Sequence, residues 1–263
     1  QKYFNVLSLA EALEKLKTDK LPPRTVCITF DDGYADNYCN ALPILKKFNH
    51  KATFFIADGY LNGGVMWNDK IIESVRNISA QKLDLSEVGM DCYDVSNNKL
   101  KQGIAHYIIN EIKYIDKLKR EKIADYIVTK AGCQIPKDIM MTNKQLVKLY
   151  QAGMEIGGHT VTHPILKKLD EKIVRYELNT NKTNLESLLK TSIQNFAYPN
   201  GKPEIDYSCE QVLLVKKQGY IAAVSTEKGV VGKNTDLYQL PRFTPWDKQP
   251  HKFILRMILT YLA

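Results

Sequence analysis

The 263-residue sequence predicts an α/β protein built on a parallel, barrel-like sheet. Three observations predict it. Short β-branched and aromatic runs alternate with helical stretches, the pattern left by parallel strands joined through covering helices. The first well-marked run, Val26-Cys27-Ile28-Thr29-Phe30, is nearly continuous in apolar character, as a strand covered on both faces must be. Residues 62–139 break the rhythm and read as a largely helical insertion after the second strand. The length suits one large domain, taken here as 1–263 with that insertion, and 44% hydrophobic residues can supply its core.

Taken in order, Ser8 can cap a helix over residues 9–17, where Leu9, Leu13 and Leu16 share a face, and Pro22-Pro23 then stops regular structure. The strand ending at Phe30 delivers Asp31-Asp32 to its carboxyl end, where barrels and open α/β sheets bind ligands. A helix from about Asn37 to Phe48 follows, with Ala41, Leu42, Leu45 and Phe48 as its apolar stripe; Pro43 is tolerated only near its first turn. Ala52–Ile56 is the second strand. Within the insertion a helix runs from 104 to 131, with Ile104, Ile108, Ile112, Ile115, Ile123 and Ile127 roughly in register. Such an addition either shapes substrate access or serves as a structural cap. A helix over 143–152 ends at Gly153, and Met154-Glu155-Ile156 leads to a second polar segment. A long amphipathic helix over 171–190 carries Ile173, Tyr176, Leu178, Leu185, Leu188 and Leu189. Strands at 193–198 and 220–224 enclose a helix near 208–218.

The formal charge of +8 comes from lysines dispersed along the chain. It reads either as a solvated surface or as attraction to an anionic glycan, lipid head group or diphosphate carrier. Nucleic acid is disfavoured, because no recognition fold or basic-aromatic repeat accompanies the charge. The five cysteines are scattered and odd in number, which argues against a disulfide framework and favours a reducing compartment such as the cytoplasm. No stretch has the length of a transmembrane helix, and the start lacks a signal-peptide layout. Because the sequence opens on Gln1, a removed leader or anchor, and with it the cell envelope, stays open.

Two segments carry chemistry. Thr29-Phe30-Asp31-Asp32-Gly33 sets two carboxylates side by side, an arrangement easiest to rationalise if a cation or a catalytic proton lies between them. One acid is expected to bind metal while its neighbour acts as general base. Far downstream, Gly157-Gly158-His159-Thr160-Val161-Thr162-His163-Pro164 holds two imidazoles four residues apart, on one side if the stretch is a helical turn. One Asp and two His give three ligands with a position left open, which suits hydrolytic zinc or a similar ion. Either segment alone is weak, since an Asp-Asp-Gly turn is usually a loop and His pairs often lie on helix surfaces.

Together, T-F-D-D-G and H-T-V-T-H resemble the polysaccharide deacetylase family, the NodB-homology domains of carbohydrate esterase family 4. The likeness covers residues 25–60 and 140–245, with Phe196-Ala197-Tyr198-Pro199-Asn200-Gly201 standing where the family has an R-x-P-Y-G-like loop. The resemblance implies a distorted (β/α) barrel and metal-dependent N-deacetylation of an N-acetylated sugar in a polysaccharide, oligosaccharide or lipid-linked glycan. It implies Asp32, His159 and His163 as ligands of a divalent cation, zinc first, with cobalt, nickel or manganese as alternatives. Asp31 then takes a proton from the attacking water, although exchanged roles for Asp31 and Asp32 remain open. Asn200 falls where the family's backbone oxyanion donor stands. Two departures follow. Ala197 replaces the Arg that orients the catalytic Asp, and Arg242 is either its substitute or a surface or carbonyl-capping residue. The C-terminal Leu-x-His segment has no counterpart, so the general acid is His251 or a reprotonated Asp31. Trp67, Tyr198 and Trp246 fall in expected loops at the barrel mouth, as sugar-stacking rings or as packing. Two rival functions keep the same residues: an O-acetyl esterase or other non-peptide amide hydrolase, and a glycan-binding pseudoenzyme.

Overall fold

The computed structural model describes residues 3–262. The chain divides into two compact units, one formed by residues up to Leu61 with those from Met141 onward, the other by Asn62–Met140.

The first unit opens with β1 (Asn5–Leu7), α1 (Leu9–Lys17) and β2 (Thr25–Phe30). The Ser8 hydroxyl accepts the Glu11 N–H to start α1, whose buried face carries Leu9, Ala12 and Leu13. The helix expected over 37–48 is two pieces: a π-helical turn at Asn37–Ala41, then α2 (Leu42–Lys47) with Pro43 at its start. Proline lacks an N–H, so it fits only where a helix begins, and a new α-helix begins there. Phe48 lies outside α2 and is exposed, while Leu42 and Leu45 are buried. β3 (Ala52–Ile56) is buried at every position.

The second unit contains α3 (Trp67–Asn77), a hairpin of β4 (Lys82–Asp84) and β5 (Cys92–Asp94), then α4 (Asn98–Ile112) and α5 (Lys117–Ala131). It has its own core, including Ile71, Val75, Leu83, Ile108, Ile123 and Ile127. The single helix expected over 104–131 is broken, because Asp116 accepts the Lys119 N–H at 3.0 Å and caps a fresh start. Both helices turn their isoleucines into the same core, so the apolar register runs across the break undisturbed.

The chain then adds α6 (Asn143–Gln151), β6 (Glu155–Gly158), α7 (Glu171–Leu189), β7 (Asn195–Ala197), α8 (Cys209–Lys217), β8 (Ala222–Lys228), β9 (Leu240–Arg242) and α9 (Pro250–Leu262). Thr142 and Gln145 form a reciprocal capping box at the start of α6. The sheet order is β1-β2-β3-β6-β7-β8-β9, with every neighbouring pair parallel. Strands that neighbour in chain order with helical crossovers make the distorted α/β barrel, and parallel pairing puts all carboxyl ends on one rim. A Cβ on Gly157 would lie 2.4 Å from the Phe55 ring, so only glycine lets β6 pass that buried side chain. On α7 the residues facing inward are Val174, Leu178, Leu185 and Leu189, with Glu177 and Asn181 between them; Ile173 and Tyr176, expected inside, are exposed. Among the described residues, no helix is long and apolar enough to cross a membrane.

Candidate metal centre

β2, half-buried at every position and not covered on both faces as its apolar run suggested, leads directly into Asp31-Asp32-Gly33. Asp32 takes a left-handed φ of 74°, and its carbonyl accepts the Ala57 N–H at 3.2 Å. The two carboxylates consequently turn to different partners.

The Asp31 carboxylate receives both arms of a guanidinium. Arg242, the last residue of β9, donates from Nη1 to Oδ1 and from Nη2 to Oδ2, each at 2.8 Å. Its Nε donates to the Ser225 carbonyl at 2.7 Å and Nη1 also reaches Thr29 Oγ1 at 3.3 Å. Arg242 thus links the end of the edge strand β9 to the end of β2, one strand in from the opposite edge of the strand order.

Asp32 turns to the imidazoles, with Oδ1 lying 3.3 Å from Nε2 of His159 and 3.3 Å from Nε2 of His163. The ligand atoms of these three residues lie within 4.8 Å of one another. The segment carrying the histidines is a loop leaving β6 and not a helical turn. Thr160 and His163 adopt left-handed φ values of 65° and 48°. The Thr160 hydroxyl donates to the His159 carbonyl at 2.5 Å and accepts the His163 N–H at 3.1 Å. This loop brings the ring centroids to 4.8 Å, tilted by 62°.

His159 is fully buried, and its Nδ1 lies 2.6 Å from the carbonyl oxygen of Ala197. A carbonyl can only accept, so Nδ1 carries a proton, and Nε2 is the nitrogen that faces Asp32 and His163. Asp32 Oδ1 is buried and has no hydrogen-bond partner among the described residues. A buried carboxylate oxygen with no hydrogen bond has acceptor capacity left over, which a cation would satisfy. The donor set of one carboxylate and two imidazoles fits a divalent metal. Burial would raise the Asp32 carboxyl, but His163, His159 and Arg242 outweigh it and hold the group at about 2. Burial would likewise lower His159, yet Asp32, Asp31 and the Ala197 carbonyl push it above the usual imidazole value.

The other residues singled out from sequence are placed as follows. Asn200, in the turn three residues beyond Ala197, has a φ of 61°, and its carbonyl accepts from Thr226 Oγ1 at 2.8 Å. Tyr198 is not in a loop open to ligand: it is 1% exposed, stacked 3.8 Å from the Tyr207 ring, and donates its hydroxyl to the Tyr238 carbonyl. Trp67 likewise begins α3, is 9% exposed, and lies under the Arg120 guanidinium in the core of its own unit. Both rings are large and apolar, and core burial claims them. Trp246 stands 79% exposed between β9 and α9, and His251 is exposed in the first turn of α9. Sequence reasoning missed two polar residues of α7, Glu177 and Asn181, that bind the histidine loop. Their signal was polar side chains four apart on an otherwise apolar helix face. It also missed the carbonyls of Ala197 and Ser225, which no side-chain pattern can reveal.

Comparison with known proteins places this arrangement in context. The polysaccharide deacetylase family model matches residues 18–223. The poly-beta-1,6-N-acetyl-D-glucosamine N-deacetylase of Staphylococcus aureus is 30% identical over 247 residues, covering 90% of this chain and 59% of that protein. YxkH of Bacillus subtilis is 24% identical over 240 residues, covering 91% of this chain and 58% of its own length. The chain therefore spans less than two thirds of these relatives. In fold it is similar to the Streptococcus pyogenes deacetylase PplD (TM-score 0.61, 21% identity, 97% of this chain and 80% of that one). It is also similar to a de-N-acetylase of Aggregatibacter actinomycetemcomitans (TM-score 0.59, 15% identity, 97% and 83%).

Proposed function

Because the chain belongs to the polysaccharide deacetylase family, we propose that it hydrolyses the acetamide of an N-acetylated sugar within a polysaccharide, oligosaccharide or lipid-linked glycan. The observation carrying this reading is the convergence of Asp32, His159 and His163 around a buried, unpartnered carboxylate oxygen. The Staphylococcus aureus relative, named for a poly-N-acetylglucosamine substrate, supports an N-acetylhexosamine as the reacting unit.

Asp32, His159 and His163 would hold the divalent ion, zinc by preference. Bound there, such an ion polarises a carbonyl and makes a water molecule acidic near neutral pH. Asp31 is the general base. The Arg242 fork uses one lone pair on each carboxylate oxygen, and the remaining lone pairs can take a proton from water attacking the acetyl carbon. Once protonated, Asp31 returns that proton to the departing nitrogen. The C–N bond then breaks to give acetate and a free amine, with no need for a second acid. The backbone N–H of Asn200 serves the carbonyl oxygen as charge builds there, and the open face of Trp246 stacks on a sugar ring.

The test is product stoichiometry. N-acetylglucosamine oligomers incubated with protein loaded with Zn2+, Co2+, Ni2+ or Mn2+ should release acetate and free amine in equal amounts. Acetate released only from O-acetylated sugars would make the protein an esterase. Tight binding of metal and sugar without acetate under any of these ions would make it a pseudoenzyme.

A further inference from the structure

The histidine loop holds two non-glycine residues in the left-handed region, one of them the β-branched Thr160, a conformation that persists only where surroundings over-determine it. Those surroundings come mainly from one helix. We infer that Glu177 and Asn181 of α7 are positioning residues that fix the two imidazoles in ligating geometry. This deepens, and rests on, the metal-site reading above.

Glu177 is a 4% exposed carboxylate whose hydrogen bonds among the described residues come from the segment between the two histidines. Its Oε2 accepts the N–H groups of Val161 at 2.8 Å and Thr162 at 2.9 Å, and Oε1 accepts the Thr162 hydroxyl at 2.5 Å. Asn181, one turn further and fully buried, accepts the His159 N–H through Oδ1 at 3.0 Å. Its amide nitrogen shares two hydrogens among three acceptors, the Thr160 carbonyl at 2.8 Å, the Ile56 carbonyl at 2.9 Å and Asp58 Oδ1 at 2.5 Å. Asn184 then donates to the other Asp58 oxygen at 2.6 Å, extending the clamp to the exit of β3. Residues i, i+4 and i+7 of a helix lie on one face, so α7 presents a single polar rail to the loop. Backbone groups of four consecutive residues, His159 to Thr162, are held by Glu177 and Asn181. A ligand set positioned in this way depends on its supporting hydrogen bonds nearly as much as on the ligands.

Three measurements on the intact protein test the inference: thermal unfolding of the metal-free form, Zn2+ affinity by chelator competition, and the visible absorption of the Co2+ form. Glu177→Gln keeps the shape but faces the loop's N–H groups with an amide. It should weaken Zn2+ about 10- to 100-fold and alter the cobalt spectrum. Leu178→Ala, in the same helix and buried without a bond to the loop, should lower the melting temperature yet leave Zn2+ affinity and spectrum at wild-type values. If Glu177→Gln fails to fold, Thr162→Val, which removes one of the three donors from the loop side, decides the matter: weaker Zn2+ binding supports the inference and wild-type binding overturns it. Wild-type affinity and spectrum in Glu177→Gln, or equal metal loss in Leu178→Ala, would also overturn it. If the wild-type protein bound no divalent ion, the metal-site reading itself would fall, an outcome distinct from failure of the rail.

Discussion

Replacing Arg242 tests how the barrel rim orients Asp31. The two contacts from its guanidinium to Asp31 are both 2.8 Å, and the side chains are only 15% and 27% exposed. Each charge-assisted hydrogen bond of this kind is worth about 1.5–3 kcal/mol. Lysine preserves the charge but not the fork, so Arg242→Lys forfeits about one of the two bonds. At roughly 1.4 kcal/mol per tenfold, kcat for acetate release should fall about 10- to 100-fold. Arg242→Ala forfeits both and should fall about 100- to 10,000-fold, with partial rescue by added guanidinium. Metal content should stay near wild type in both variants, because Arg242 bonds Asp31 and none of the three candidate ligands Asp32, His159 and His163. The assay is acetate release at saturating N-acetylglucosamine oligomer, paired with metal analysis of each sample. Turnover of Arg242→Lys within twofold of wild type would refute the argument, as would loss of metal in parallel with activity.

Other expectations concern the metal residues. Asp31→Asn should abolish turnover with metal content nearly normal while His159→Ala loses both; equal metal loss in the two variants would reject the division of labour between the acids. Zinc at about a hundredfold excess over its Kd should stabilise the fold by about 2.7 kcal/mol, a rise of roughly 5–10 °C in Tm that EDTA reverses. His163→Ala should remove this rise, and its persistence would show that zinc binds elsewhere. In metal-free protein the Asp32 pKa is depressed from 3.8 to about 2, so its stabilising contribution is full above the unfolded value and fades as pH falls through the folded one. That contribution is about 2 kcal/mol. Thermal unfolding in chelator should find Asp32→Asn less stable than wild type at pH 5 and equal to it near pH 2; equality at pH 5 would contradict the electrostatic account.

Much of this protein was legible in one dimension because its signals are local. A nearly unbroken apolar run marks β2, and whatever follows such a strand in an α/β protein emerges at a rim, so Asp31 and Asp32 were placed from sequence. The spacing of His159 and His163 marked them as candidate ligands, on the condition of a helical turn that the segment does not form. The rings converge through a loop whose left-handed residues are glycine-free and carry no sequence flag.

By itself, the amino-acid sequence determined the alternation of strands and helices, the residue types of the metal centre and the family resemblance they carry, because periodicity and side-chain chemistry are written residue by residue. Only the tertiary structure decided partners. It joined Arg242 to Asp31 across 211 positions, gave the Nδ1 proton of His159 its acceptor in the Ala197 carbonyl, and sent Tyr198 and Trp67 into cores. It also turned Glu177 and Asn181 of α7 inward onto the histidine loop. A hydrogen-bond donor says that it needs an acceptor; which acceptor it finds depends on how the chain closes, and that closure is set by the whole core at once.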